Sequence, residues 1–178
     1  EEAPRWEQLL RARIPDIDFR AYPDLGNPDA IEIALAWKPP AGVLARLPRL
    51  RLICSLGMGV DHLLSDPTLP RSVPIVRLVD PNMVAQMSEY ALYAVLHFHR
   101  YFDRYERFQR EQRWQELPLP HTERRRVGIM GLGTVGQDCA RKLADLGFRV
   151  SGWSRTPKQL AGVTCLSGAQ ALETFLRE

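Results

Sequence analysis

One stretch constrains the fold of this chain more than any other: VGIMGLGTVGQDCARKLADLGFRVSGWS, residues 127–154. Val127, Ile129 and Met130 predict a short buried strand, after which Gly131, Gly133 and Gly136 stand in the spacing G-x-G-x-x-G. Val135, Cys139, Leu143 and Leu146 then recur at three- and four-residue intervals. That is the inner stripe of a helix, and Gly147 is placed to end it. A second strand follows over 148–154. Strand, glycines, helix, glycine and strand within about 30 residues predict a parallel βαβ unit that cradles a dinucleotide. Each glycine has its own reason. Gly131 permits the tight turn, Gly133 lets backbone approach a pyrophosphate, and Gly136 lets helix and strand pack closely. The candidate cradle is therefore Gly131, Leu132, Gly133, Thr134, Val135 and Gly136, with the pyrophosphate on the free N–H groups and positive end of the helix.

The second strand should end on a carboxylate if the ligand is NAD, because an acidic side chain about 20 positions on accepts hydrogen bonds from the ribose. Ser154, Arg155 and Thr156 hold that place, with Lys158 just beyond. Asp145 is near in sequence but lies inside the helix. A carboxylate repels a 2′-phosphate, whereas guanidinium, ammonium and hydroxyl groups bind one. A charge-assisted hydrogen bond contributes about 1.5–3 kcal/mol, roughly 10- to 150-fold in affinity. The strand's end therefore predicts NADPH in preference to NADH.

Upstream, short elements alternate. Trp6, Leu9, Leu10 and Ile14 lie on helical spacing, and apolar runs at 17–22, 31–37, 50–56 and 73–79 read as strands. A short helix bounded by prolines lies between the second and third of these runs. Strands separated by short helices imply a parallel sheet covered on both faces. From residue 80 the pattern changes. Asp80 or Asn82 is a capping residue and Pro81 suits a first helical turn. Val84, Met87, Ala91, Val95, Phe98, Phe102 and Tyr105 then predict one helix of about 25 residues, roughly 37 Å long. A helix of that length reads as a spine linking two domains, 1–81 and 82–178, and the loop at 115–126 ends it.

The run SLGMGVDHLL, residues 55–64, falls at the end of a predicted strand, where open α/β sheets place ligands. Gly57 and Gly59 predict a nest of successive backbone N–H groups suited to a small carboxylate, with Asp61 placed to cap the helix that follows.

Other classes are disfavoured. Net charge is only +3, and Arg104, Arg107, Arg110 and Arg113 interleave with Glu106 and Glu111, so the basic run reads as a salt-bridged helix face and no nucleic-acid partner is expected. The sequence has no run of 18 apolar residues, so no membrane span is expected. Cys54, Cys139 and Cys165 lack any C-x-x-C spacing and predict buried free thiols in a reducing cytoplasm; the four scattered histidines predict no metal site.

Three stretches together carry a family resemblance: AWKPPAGVLARLPRLRLICSLGMGVDHLL, MSEYALYAVLHFHRYFDRYERFQREQRW and RRVGIMGLGTVGQDCARKLADLGFRVSGWSRT. In this order they resemble the D-isomer-specific 2-hydroxyacid dehydrogenases, and most closely the glyoxylate/hydroxypyruvate reductase A branch. The resemblance implies an α/β chain with a flavodoxin-like substrate domain and a Rossmann-type dinucleotide-binding domain that close over the substrate. It also implies homodimers formed through the cofactor domain and long helix. Its activity would be reduction of a small 2-keto acid, with a non-catalytic dinucleotide-sensing corepressor as the alternative. By resemblance the amides around Gly57, Met58 and Gly59 hold the substrate carboxylate, Trp37 lines the pocket, and Met87 packs near the nicotinamide. The family's catalytic arginine, glutamate and histidine find no match at His62, His97, His99 or His121, so no catalytic residue is assigned. With only two strands legible in the cofactor half, both domains are expected to be incomplete, and these 178 residues alone to bind cofactor poorly and turn over nothing.

Overall fold

The computed structural model describes residues 2–177. The chain is α/β and divides into two compact units, Glu1–Val79 and Asp80–Glu178, each with its own three-stranded, all-parallel sheet.

The first unit opens with helix α1 (Ala3–Arg11), whose last turn is braced by an Arg11–Glu7 ion pair at 2.9 Å. Ile14 falls outside it. Strands β1 (Ile33–Ala36), β2 (Leu52–Ser55) and β3 (Ile75–Arg77) pair in the order β1-β2-β3. The helix expected between β1 and β2 is a single 3-10 turn at Leu44–Arg46, and α2 (Asp61–Leu64) follows β2. Ile53, fully buried at the centre of β2, packs with Leu44, Leu47, Leu50, Leu63 and Leu69. Burying one such side chain is worth about 1.5–3 kcal/mol, so these few residues decide that the sheet forms.

The strand expected at 17–22 is absent, a correction with a local cause. The Arg20 guanidinium donates to the Asp18 carboxylate and to the carbonyls of Leu25 and Asn27, drawing the segment into a loop instead of a ladder. A short apolar run carries no information about such a side-chain competitor.

The second unit begins at α3 (Pro81–His99), where the Asp80 carboxylate accepts from the Asn82 N–H at 2.9 Å. The single long helix expected here is instead two. Tyr101 adopts a left-handed conformation (φ 60°), and α4 (Phe102–Arg110) starts anew after it. With Tyr101 N–H bonded to the Phe98 carbonyl, the break has the form of a helix C-terminus that a non-glycine residue supplies. The buried face of α3 is also displaced from the expected stripe. Ser88, Leu92, Val95, Leu96 and His99 face the core side, while Met87 and Phe98 are exposed. A helix that is apolar nearly all round gives periodicity little to select.

Strand β4 (Arg126–Met130) leads through the glycine turn into α5 (Thr134–Asp145), then β5 (Arg149–Ser154), β6 (Val163–Ser167) and α6 (Ala169–Arg177). The order is β4-β5-β6, with β5 central and β4 at an edge. Two strands are thus corrected to three: Val163–Ser167, bounded by Gly162 and Gly168, both at positive φ, pairs parallel to β5 after a connection at 155–162 that contains no helix. Met130, expected to be buried, is exposed at this edge. Leu132, Ala140, Leu143, Phe148, Val150 and Leu160 form the core. Gly147 ends α5 at φ 88° as expected, but Leu146 is exposed.

His99 closes the inner face of α3 against Phe148, ring to ring at 4.9 Å, and its Nδ1 is buried without a partner. Burial, then the nearby Arg125 and Arg100 charges, hold its pKa below the ordinary 6.5. The unfolded chain takes up that proton first, so the contribution of neutral His99 is complete above about pH 6.5 and is lost as pH falls through the lowered folded value. The melting temperature is expected to drop between pH 7 and pH 5, and the drop to shrink in His99→Gln. A variant that follows the wild-type curve throughout removes His99 as the cause.

Candidate cofactor and carboxylate sites

The three glycines of the turn differ in what they do. Gly131 has φ +110°. A methyl on Gly136 would overlap the carbonyl oxygen of Gly131, so the first turn of α5 lies directly on the loop. A methyl on Gly133 would meet nothing within 4 Å: that position opens outward. Gly133 is also the N-cap of α5, and no side chain caps the helix. The N-terminal amides and the positive end of the dipole are left for an anion. An open approach at Gly133, a close one at Gly136 and an uncapped helix together fit a dinucleotide pyrophosphate.

Leu132, also expected in the cradle, is 1% exposed and packs into the core. Its side chain takes the space above Gly152, where a methyl would collide with it. Only Leu132 backbone can face a ligand. Gly152 was not among the expected site residues, although a glycine inside a strand is the signal for such close packing.

Parallel pairing of Met130 with Trp153 brings the ends of β4 and β5 together, and Gly131 N–H donates to the Trp153 carbonyl at 2.8 Å. The segment Ser154–Lys158 therefore leaves the sheet beside the glycine turn. Ser154 is buried and its hydroxyl donates to the Thr156 carbonyl at 2.7 Å, which shapes the loop. Arg155, Thr156 and Lys158 are exposed, and neither cation forms an ion pair among the described residues. Asp145 is exposed at the last position of α5.

Helix α3 packs against α5 through Ser88, which is fully buried and donates to the Asp138 carboxylate at 2.5 Å. Lys142 pairs with the same carboxylate at 2.7 Å; these two bonds hold the Asp138 pKa below the usual range. Met87, next to Ser88, is half-exposed. Two grooves of the unit, about 230 and 290 Å³, lie around His99 at the other end of α3; the first is lined mainly by apolar side chains, the second by Val95, Phe98 and Val127 together with His99, Arg125 and Arg126.

In the first unit, register pairing of Ala36 with Ser55 puts Trp37 beside the 55–61 loop. Trp37 is half-exposed and its ring meets that of His62 at a tilt of 55°, centroids 4.8 Å apart, with Lys38 Nζ 5.5 Å from its centroid. A methyl on Gly57 would strike this ring. Gly57 is buried, Met58 half-buried and Gly59 exposed. Asp61 does not cap α2: the N-cap is Val60, and no side chain accepts there. Among the described residues no His/Cys/Asp/Glu cluster is arranged to hold a metal. Cys139 is buried, whereas Cys54 and Cys165, expected to be so, are half-buried; all three are free.

Comparison with known proteins supplies the family. Residues 92–178 match the D-isomer specific 2-hydroxyacid dehydrogenase, NAD binding domain. The chain is 39% identical to glyoxylate/hydroxypyruvate reductase A of Yersinia enterocolitica, covering 99% of this chain and 58% of that protein. It is 40% identical to the reductase A of Serratia proteamaculans, covering 98% and 57%. Among solved structures it resembles a D-isomer specific 2-hydroxyacid dehydrogenase from Xanthobacter autotrophicus Py2 in complex with NADPH and MES, at 43% identity and a TM-score of 0.89, covering 99% of this chain and 57% of that one. It also resembles the NADPH-dependent glyoxylate/hydroxypyruvate reductase of Sinorhizobium meliloti in complex with NADP and sulfate, at 37% identity and a TM-score of 0.78, covering 96% and 55%. The chain thus spans a little over half the length of these relatives. By sequence, by sheet topology and by the glycine turn, it belongs to the D-isomer specific 2-hydroxyacid dehydrogenase family and carries that family's NAD(P)-binding fold.

Proposed function

We propose that this protein reduces a small 2-keto acid, glyoxylate or hydroxypyruvate, to the 2-hydroxy acid, with NADPH as reductant. The observation that carries the reading is the uncapped start of α5 behind Gly131, Gly133 and Gly136, beside a strand end bearing Arg155 and Lys158 in place of an acid. A bound reduced nicotinamide supplies hydride. The chain's own residues bind and orient. The amides of Gly133, Thr134 and Val135 hold the pyrophosphate, and Arg155, Thr156 and Lys158 hold the 2′-phosphate. Ser154 shapes that loop, and Met87 flanks the nicotinamide. The amides of Met58 and Gly59 hold the substrate carboxylate beside Trp37, whose bulk over Gly57 favours a short substrate. The names of the curated relatives and the NADPH and NADP in the solved ones support this reading.

The protein acts as a cytoplasmic homodimer. Tyr90, Tyr93, Phe98 and Phe102, each 50–69% exposed, leave an aromatic surface on α3 and α4, the kind of patch a subunit contact covers. Among the described residues no helix is long and apolar enough to cross a membrane.

The full-length protein is expected to oxidise NADPH, followed by its absorbance, with glyoxylate or hydroxypyruvate, to prefer NADPH to NADH by about tenfold or more, and to sediment as a dimer. Absence of turnover with every short 2-keto acid tested would overturn the activity; equal use of both coenzymes would overturn the assignment of Arg155 and Lys158.

A further inference from the structure

The 57–59 loop is held from behind by two side chains of the sheet beneath it. Ser55, the last residue of β2, is 2% exposed. Its hydroxyl lies 3.1 Å from the carbonyl oxygens of both Gly57 and Gly59, and the Gly57 N–H donates to it at 3.3 Å. Arg77, the register partner of Ser55 on β3, donates from Nη1 to the Met58 carbonyl at 3.1 Å. Arg77 thus donates to the Met58 carbonyl, and the single Ser55 hydroxyl proton is shared between the carbonyls of Gly57 and Gly59. A trans peptide is planar, with its N–H opposed to its C=O, so fixing the carbonyls of Gly57 and Met58 fixes the amides of Met58 and Gly59. No acceptor among the described residues takes either N–H.

We propose that Ser55 and Arg77 are positioning residues for carboxylate binding: they lock the peptide planes of the loop so that the Met58 and Gly59 amides are presented to the anion without reorganisation. The inference rests on the carboxylate role proposed above for this loop. Arg77 acts here through one hydrogen bond to backbone, not as a charge attracting the substrate, and the two roles differ in their response to salt. A pre-set dipole gives the same advantage at any ionic strength, whereas an exposed charge is screened.

The test uses full-length protein and oxalate, a two-carbon dicarboxylate that cannot be reduced, with calorimetric binding measured beside steady-state kinetics. Arg77→Met is expected to weaken oxalate binding and raise KM for glyoxylate about tenfold, to leave kcat within about threefold, and to leave NADPH affinity unchanged. The ratio of wild-type to variant affinity should stay constant from about 20 to 300 mM salt. Ser55→Ala, which alters no charge, should raise KM in the same way. A ratio that collapses with salt overturns positioning in favour of plain charge, and unchanged binding in Arg77→Met overturns it outright. Should Ser55→Ala not fold, the salt series on the exposed Arg77 still decides. Wild-type protein that neither binds oxalate nor reduces glyoxylate refutes the underlying reading of the loop, and the inference with it. Wild-type protein that does both, beside an Arg77→Met variant that matches it, refutes the inference alone.

Discussion

Alanine at position 136 is expected to abolish useful NADPH binding and to destabilise the protein. Its methyl would occupy the place of the Gly131 carbonyl oxygen, and neither side can yield cheaply because both are backbone. Either α5 moves away from β4 or the glycine turn opens. Overpacking of this kind costs about 1–3 kcal/mol, a fall in melting temperature of about 4–8 °C per kcal/mol for a unit of about 100 residues. Loss of one charge-assisted bond to the pyrophosphate at the displaced helix start should weaken the cofactor about 10- to 150-fold. Gly133→Ala is the informative companion. Its backbone is extended and its methyl would meet nothing in the protein, so stability should hold while affinity falls because the methyl enters the path of the pyrophosphate. Thermal denaturation with and without NADPH separates the two outcomes, since ligand binding raises stability with the logarithm of ligand over Kd. Equal losses of stability in both variants would remove the distinction between a packing glycine and an approach glycine.

Arg155→Gln is expected to lower NADPH affinity about 10- to 150-fold while leaving NADH within about twofold. Arg155 is exposed and forms no ion pair among the described residues, so its removal disturbs no internal bond. Its neighbour Lys158 carries the same charge and can soften the effect; the double substitution Arg155→Gln with Lys158→Gln should approach the upper figure. Raised ionic strength should narrow the wild-type preference, because the cations are on the surface. A coenzyme preference that survives the double substitution means that the 2′-phosphate is selected elsewhere.

The legible parts of the fold share one property: the backbone itself dictates the residue. Positive φ at Gly131 and Gly147 and the close approach at Gly136 cannot be met by other residues, so spacing alone locates turn, helix and both flanking strands. The break after α3 carries no such mark, because the left-handed residue is a tyrosine and no proline or glycine lies near it. The loop at 17–22 turns on where one guanidinium sends its protons, a tertiary fact that a pattern of apolar residues does not encode. β6 was available to be read, since Val163–Ser167 is a β-rich run bracketed by glycines. The candidate sites divide the same way. Glycine positions announce themselves, whereas Ser55, Arg77 and Ser88 are ordinary polar residues whose relevance depends on what the sheet register and helix packing bring beside them.

The bond from Ser88 to Asp138 gives the proposed cofactor site a fixed gauge. Met87 is one residue from that bond along α3, and the pyrophosphate-facing amides are one turn from it along α5. The groups assigned to the nicotinamide and to the pyrophosphate therefore belong to a single rigid frame, and a dinucleotide bound there would not need to hold two separately wandering helices at the correct span.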